Sequence, residues 1–338
     1  MSAVAAPARP ARALTGRRWA AVGASLLVAA AVALAAWRLG PWRHAGFIEY
    51  AMPSAGDIPA AVAAGPDGSV WFTIESSDSI GVLRDGAITK RPKGRPSVEP
   101  MGIAVAADGA AWFTDSRARA ISRMAPDGAV TSFEVHGNPI ARLNGLAVSR
   151  DGAVWFADST ASSVTRLRDG VLTPHVAAAL RANPYGVAVD RQGTVWATLQ
   201  GANKLARITA DGEMSEIEIP TRASGPSDVA ADASGAVWFL EFRANKIGRY
   251  LDGRFTEYPA PTASAALTGL AIAPDGAAWF GELRAAALGR VRDGVVTEFL
   301  LPRGDARPFA VAADGEGNIW YTDLRGWLGK LSAERARR

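Results

Sequence analysis

No cysteine occurs anywhere in the 338 residues. Disulfides, thiolate metal sites and a cysteine nucleophile are therefore excluded. Histidine is nearly missing too, with three copies, and none stands in a metal-spaced pair. No Ser–His–Asp arrangement, nucleophile elbow or phosphate loop is visible. Acidic residues are absent from the first 46 positions, which hold Arg9, Arg12, Arg17, Arg18, Arg38 and Arg43. Those six arginines outnumber the chain's net charge of +4, so the remainder is slightly acidic. The basic excess is topogenic, and no nucleic-acid partner is expected. Long helical periodicity is also lacking, which argues against an α/β fold.

Charge is lacking from Trp19 to Trp37. At about 1.5 Å per helical residue this segment spans roughly 28 Å, close to the ~30 Å hydrocarbon core of a bilayer. A tryptophan stands at each edge, where indoles favour the interface, and the flanking arginines place the N-terminus in the cytoplasm. The reading is a basic tail (1–18), a transmembrane signal anchor (19–37), a linker (38–46), a propeller (47–331) and a C-terminal tail (332–338). The propeller then lies on the extracytoplasmic side of the cell membrane, tethered by a single pass. Ala33-Leu34-Ala35 offers the alternative of signal cleavage and secretion. A monomer is expected.

What fills the rest is a repeat. Trp71, Trp112, Trp155, Trp196, Trp238, Trp279 and Trp320 recur at steps of 41, 43, 41, 42, 41 and 41 residues. That period suits a four-stranded propeller blade. The first strand follows a Pro-x-Gly-like turn, as in Pro184-Tyr185-Gly186, and the second carries the tryptophan. Asp-Gly pairs such as Asp108-Gly109 and Asp252-Gly253 suit the tight hairpins between strands, because both residues tolerate positive φ. The seventh repeat stops after its third strand, Trp327–Leu331. An unclaimed strand, Phe47–Tyr50, resembles the fourth strands and is expected to complete the last blade, closing the ring without a free edge. The fold class is an all-β, seven-bladed propeller.

In this strand order the start of strand one and the end of strand two share an edge. Two rings of side chains are expected there. The turn residues are Ala60, Met101, Asn144, Tyr185, Ser227, Thr268 and Phe309, of which Met101, Tyr185, Thr268 and Phe309 are candidate ligand contacts. The second ring, three positions past each tryptophan, offers Asp115, Asp158, Glu241, Glu282 and Asp323, with Glu75 shifted by one. Converging carboxylates repel unless a cation or donor compensates, and oxygen ligands select Mg²⁺ or Ca²⁺. Glu241, Glu282, Asp323, Asp115, Asp158 and Asn144 are the candidate metal ligands. The competing expectation is that the acids cap loop amides within their own blades. His44 falls in the linker, and His136 and His175 on stretches leading from a fourth strand to the next blade.

Trp238-Phe239-Leu240-Glu241, then Ala244-Asn245-Lys246-Ile247-Gly248-Arg249, Asp252-Gly253 and Thr256-Glu257-Tyr258-Pro259, closely resembles the repeat of the virginiamycin B lyase (streptogramin B lyase) family. The resemblance covers roughly residues 47–331. It implies a carbon–oxygen lyase that opens cyclic depsipeptides by elimination, with Mg²⁺ and a histidine base on the channel face. That family carries histidine in the turns of its last two blades, where this chain has Leu267-Thr268-Gly269 and Pro308-Phe309-Ala310. The acids carried over as possible cation ligands are Glu282 and Asp323. Asn144-Gly145-Leu146-Ala147-Val148, with Asp151-Gly152 and Trp155-Phe156-Ala157-Asp158, resembles one blade of the gluconolactonase–regucalcin family, which implies Asn144 as a metal ligand for lactone hydrolysis. The repeats are also similar to NHL-type propellers, which implies a non-catalytic module docking a peptide or glycan.

Overall fold

The computed structural model describes residues 44–94, 100–135 and 142–338. The segment expected to cross the membrane and His136 lie outside the described residues. Among those described, no helix is long and apolar enough to span a bilayer.

Residues Gly46–Arg338 form one compact unit. Its described residues contain twenty-eight strands, numbered β1 to β28 in chain order, arranged as seven four-stranded antiparallel sheets. Six blades are continuous in sequence. The seventh is assembled from both ends of the chain, in the order β1 (Phe47–Ala51), β28 (Trp327–Leu331), β27 (Ile319–Asp323) and β26 (Pro308–Ala313). Phe47 pairs with Leu331 and Ala51 with Trp327, so the closure expected from the incomplete last repeat is present. One correction concerns the fourth strands: His175 lies within one, paired with Val164, rather than on the stretch that follows it. A short helix, α1 (Ala333–Arg337), ends the chain. The carbonyl of Ala336 in it accepts a 2.7 Å hydrogen bond from Arg290 Nη1.

The repeat tryptophans pack between blades. Trp71 and Trp279 are each 1 % exposed, and Trp155, Trp196, Trp238 and Trp320 are also buried. Trp196, Trp238 and Trp320 donate their indole N–H to Asp190, Asp232 and Asp314, the aspartates that shape the first hairpin of each blade. One side chain thus joins the blade interface to the turn. Arg207, Arg249 and Arg290 lie 5.5–5.9 Å from the ring centres of Trp196, Trp238 and Trp279, within cation–π range.

The residue after the tryptophan faces the other way, as strand alternation requires. In four blades it is an aromatic set against a third-strand glycine: Phe72 on Gly81, Phe239 on Gly248, Phe280 on Gly289 and Tyr321 on Gly329. A Cβ on Gly248 would lie 2.1 Å from the Phe239 ring. The glycine of the Asn-Lys-Ile-Gly-Arg motif is therefore required by close approach.

Two outcomes follow for stability. Gly248→Ala overpacks this contact and is expected to cost about 1–3 kcal/mol, read from chemical denaturation. Deleting the chain through Pro53 unpairs β28 and is expected to lower the thermal midpoint markedly; an unchanged midpoint would contradict closure by β1.

Candidate functional site at one mouth of the channel

The first strands of the blades line the central channel, and their crowding decides which side chains reach it. A Cβ on Gly102 would lie 2.7 Å from the carbonyl oxygen of Asn144, and one on Gly186 would lie 2.8 Å from that of Ser227. Small residues at this turn position are therefore obligatory in most blades. In four blades the first strand is tied to the second by a threonine two positions past the tryptophan. Thr114 Oγ1 accepts from Gly102 N (2.8 Å) and donates to the carbonyl of Asn144 in the next blade (3.1 Å). Thr322 repeats this with Ala310 N (3.0 Å) and Ala60 O (2.5 Å). Thr198 does so with Gly186 N and Ser227 O.

Three blades lack that threonine, having Ala157, Leu240 and Gly281 instead. In the blades of Ala157 and Gly281 a turn residue supplies the bridge, whereas the Ser227 hydroxyl in the blade of Leu240 is buried without a partner among the described residues. Asn144 Nδ2 donates to Pro184 O (3.1 Å) and Thr268 Oγ1 to Pro308 O (2.9 Å). Both candidate residues thus spend a donor on bracing the ring.

A cavity of about 180 Å³ occupies the channel, with Met101, Asn144, Tyr185, Asp228 and Gly269 in its wall. A second, of about 210 Å³, opens at the mouth, bounded by Tyr185, Gln200, Asp228, Phe242, Thr268 and Phe309. The structure therefore brings together Tyr185, Thr268 and Phe309 around the second cavity, and places Met101 in the wall of the first.

Asp228, common to both cavities, was not singled out from the sequence. Its signal was available: in the column Ala61, Gly102, Gly145, Gly186, Asp228, Gly269 and Ala310, it is the one polar residue. Burial pushes its carboxyl up to about 6, opposed by a hydrogen bond from the backbone of Gly269. Gly269 has φ +53°, and its Cβ would lie 2.5 Å from Val311 N, so the backbone beside Asp228 requires glycine. Among the described residues no lysine or arginine pairs with Asp228. The Tyr185 phenol is raised above its usual range by burial and by the Asp228 charge, so it stays protonated.

The acids of the second ring sit elsewhere. Register places them as expected, with Pro226 opposite Glu241, Leu267 opposite Glu282 and Pro308 opposite Asp323. Their side chains, however, share the sheet face of the preceding aromatic, one strand out from the axis. None of the five lines either cavity. Asp115 pairs with Lys93 at 3.1 Å and accepts from Ala118 N. Asp158 accepts from Thr160 N and Ala161 N. Asp323 pairs with Arg303 and accepts from Arg307 N and Arg325 N. Glu241 and Glu282 are fully buried, and neither has a well-formed hydrogen bond to its oxygens, although the Ser224 hydroxyl stands near Glu241. Burial and then the Glu257 charge push Glu241 up to about 7, against the pull of Lys246. Burial and then the Glu298 charge push Glu282 up to about 8. Among the described residues no three acidic or histidine side chains gather as a metal cluster. The acids are held one to a blade, and they do not fit an ion shared at the channel mouth.

Together the fold and the site define a seven-bladed propeller with an aromatic, singly acidic pocket at one end of its channel. The profile of the Virginiamycin B lyase family matches residues 32–142 and 96–336, and the chain belongs to that family. A virginiamycin B lyase from Nocardia farcinica (strain IFM 10152) is 37% identical over 172 residues, 50% of this chain and 57% of that protein. The chain thus spans little more than half the length of that relative. Among solved structures, a catalytically inactive histidine-to-alanine virginiamycin B lyase from Staphylococcus aureus with quinupristin superposes with a TM-score of 0.80. It is 27% identical, over 84% of this chain and 98% of that one. A streptogramin B lyase gives 0.81 at 26% identity, covering 85% and 97%. A YCF48 bound to D1 peptide, at 10% identity and 0.68, shares the fold alone.

The Glu282 carboxyl gives a pH-dependent expectation. Its folded pKa of about 8 stands above the ordinary 4.5. The folded state therefore holds the proton more tightly, and its contribution to stability is lost as pH rises from about 4.5 through about 8. In chelator-treated buffer, Glu282→Gln is expected to flatten the fall of the thermal midpoint over that window. Equal slopes in variant and parent would contradict the assignment.

Proposed function

We propose that this chain is a lyase-like propeller that opens a cyclic ester at the channel mouth by elimination. The observation that carries the reading is an unpaired carboxylate, Asp228, in a pocket walled by Tyr185, Phe242 and Phe309. In the reaction, Asp228 takes the proton from a carbon α to a carbonyl. The C–H electron pair becomes the new C=C bond, and the β carbon–oxygen bond breaks with the ester carboxylate leaving. Tyr185, protonated at all working pH values, is a donor beside the reacting face, and the aromatic walls hold an apolar ring and limit water. A cyclic depsipeptide is the proposed substrate class, in keeping with the relative that was solved with quinupristin. No step is routed through a metal ion. The charge-free span 19–37 supports a single-pass tether, with the reaction outside the cytoplasm.

A second reading is favoured by one feature. At the turns where the family carries histidine, Thr268 has its hydroxyl committed to Pro308 and Phe309 has no ionisable group. The absence of a base at those turns favours a docking module for a peptide or glycan. A lactone hydrolase is the third reading and differs in its product.

The test is incubation of the protein with cyclic depsipeptides and simple lactones, with and without Mg²⁺, followed by mass spectrometry. Elimination opens the ring at unchanged mass, whereas hydrolysis adds one water. Elimination is expected, with activity falling as pH drops through about 6 and Asp228 protonates, and with Asp228→Asn inactive. Binding without turnover in any condition would establish the docking reading instead.

A further inference from the structure

Blades four to seven share one polar device at the rim, and blade six breaks it. In blades four to seven the third residue of strand three faces a glutamate on strand four: Ala206 with Glu216, Gly248 with Glu257, Gly289 with Glu298, and Gly329 with Glu49. Each glutamate holds the loop that enters its blade. Glu216 accepts from Ala179 N, Glu257 from Thr221 Oγ1, Glu298 from Thr262 N and Oγ1, and Glu49 from Arg303.

In three of these blades a cation completes the arrangement. Lys204 lies 3.0 Å from Glu216. Lys246 lies 2.7 Å from Glu257, with its charge also acting on Glu241. Arg303 contacts both Glu49 and Asp323. Lys246 is paired across the sheet with Glu241, and the residue paired in the same way with Glu282 is Ala287. Blade six therefore keeps both carboxylates, Glu282 and Glu298, and lacks the ammonium. Among the described residues no lysine or arginine pairs with either. Glu282 is fully buried with both oxygens unmet. Glu298 is half-buried, so the place is reachable from solvent.

We propose that blade six binds one hard, oxygen-seeking divalent cation between Glu282 and Glu298, at the place that the Lys246 ammonium takes in blade five. Two carboxylates that cannot donate to one another need a positive charge or a proton between them. Glu298 is already oriented by two donors from Thr262, and its remaining lone pairs stay free. Carboxylate oxygens with water completing the shell are the donor set that Ca²⁺ and Mg²⁺ take. The contrast between the neighbouring blades agrees, since the buried acid is pushed higher where the lysine is missing. Glu298 is the one charged group acting on Glu282. The site lies outside both channel cavities, so it is independent of any activity at the mouth.

The test uses the full chain, stripped with chelator and held at pH 8.5 and constant ionic strength. Thermal unfolding is followed with added CaCl₂ or MgCl₂, and calorimetry counts the ions bound. The parent is expected to bind one ion per chain and to shift its midpoint upward, while Glu282→Gln and Glu298→Gln lose both responses. Ala287→Lys is expected to unfold at the raised midpoint without added cation and to gain nothing from it. Should that lysine variant fail to fold, the two glutamine variants still decide. A parent indifferent to both cations, or glutamine variants that respond as the parent does, would overturn the proposal and leave a shared proton as the compensation.

Discussion

Seven wedge-shaped sheets closing a circle must crowd at the axis, and that crowding governs the rest of the molecule. The inner strands approach until a single methyl would strike the neighbouring backbone, at Gly102 on Asn144 and at Gly186 on Ser227. The same proximity lets one threonine hydroxyl bridge two blades, accepting from its own first strand and donating to the next. In two of the three blades without that threonine, Asn144 and Thr268 reach across from the turn. The wall of the channel accordingly carries glycine or alanine at the position of Gly102 and Gly186 in six of the seven blades. A side chain that enters it does so where the neighbour yields, as Gly269 does beside Asp228 with its left-handed backbone.

Most of the architecture was legible in the chain. The tryptophan period follows from a buried ring repeated once per blade, and the Asp-Gly pairs from hairpins that demand positive φ, as at Asp252 and Gly253. Closure was legible because Phe47–Tyr50 has the pattern of a fourth strand and the last repeat lacks one. The candidate site was legible only in part. Counting residues located Tyr185, Thr268 and Phe309 at one mouth, since register depends on sequence separation alone. It also located the carboxylates at the same edge, but the direction of a side chain depends on strand alternation and on the strand's distance from the axis. Glu241 and Glu282 share the face of Phe239 and Phe280, so they enter the blade rather than the channel. Asp228 is not part of the variable turn column; it stands one position later, where every other blade has glycine or alanine.

The rim carboxylates form a set of local charge balances. Asp115 has Lys93, Asp323 has Arg303, Asp158 has two loop amides, and Glu241 has Lys246 nearby. The solutions are drawn from three places: the crossover entering the blade for Asp115 and Asp323, the following turn for Asp158, and the adjacent strand for Glu241. Such variety at one structural position shows that the repeat constrains where an acid stands and leaves the means of compensation to each blade.

The pairing of β1 with β28 has a consequence for biosynthesis. A ribosome delivers β1 before any blade and its partner after all the others. Six sheets are complete from contiguous sequence as they emerge, whereas the seventh waits for the last residues of the ring. Until then the earliest strand has an unsatisfied backbone edge and the growing arc has two uncovered blade faces. A chain halted anywhere short of Leu331 remains an open arc, so completeness of synthesis is itself checked by the geometry of the ring.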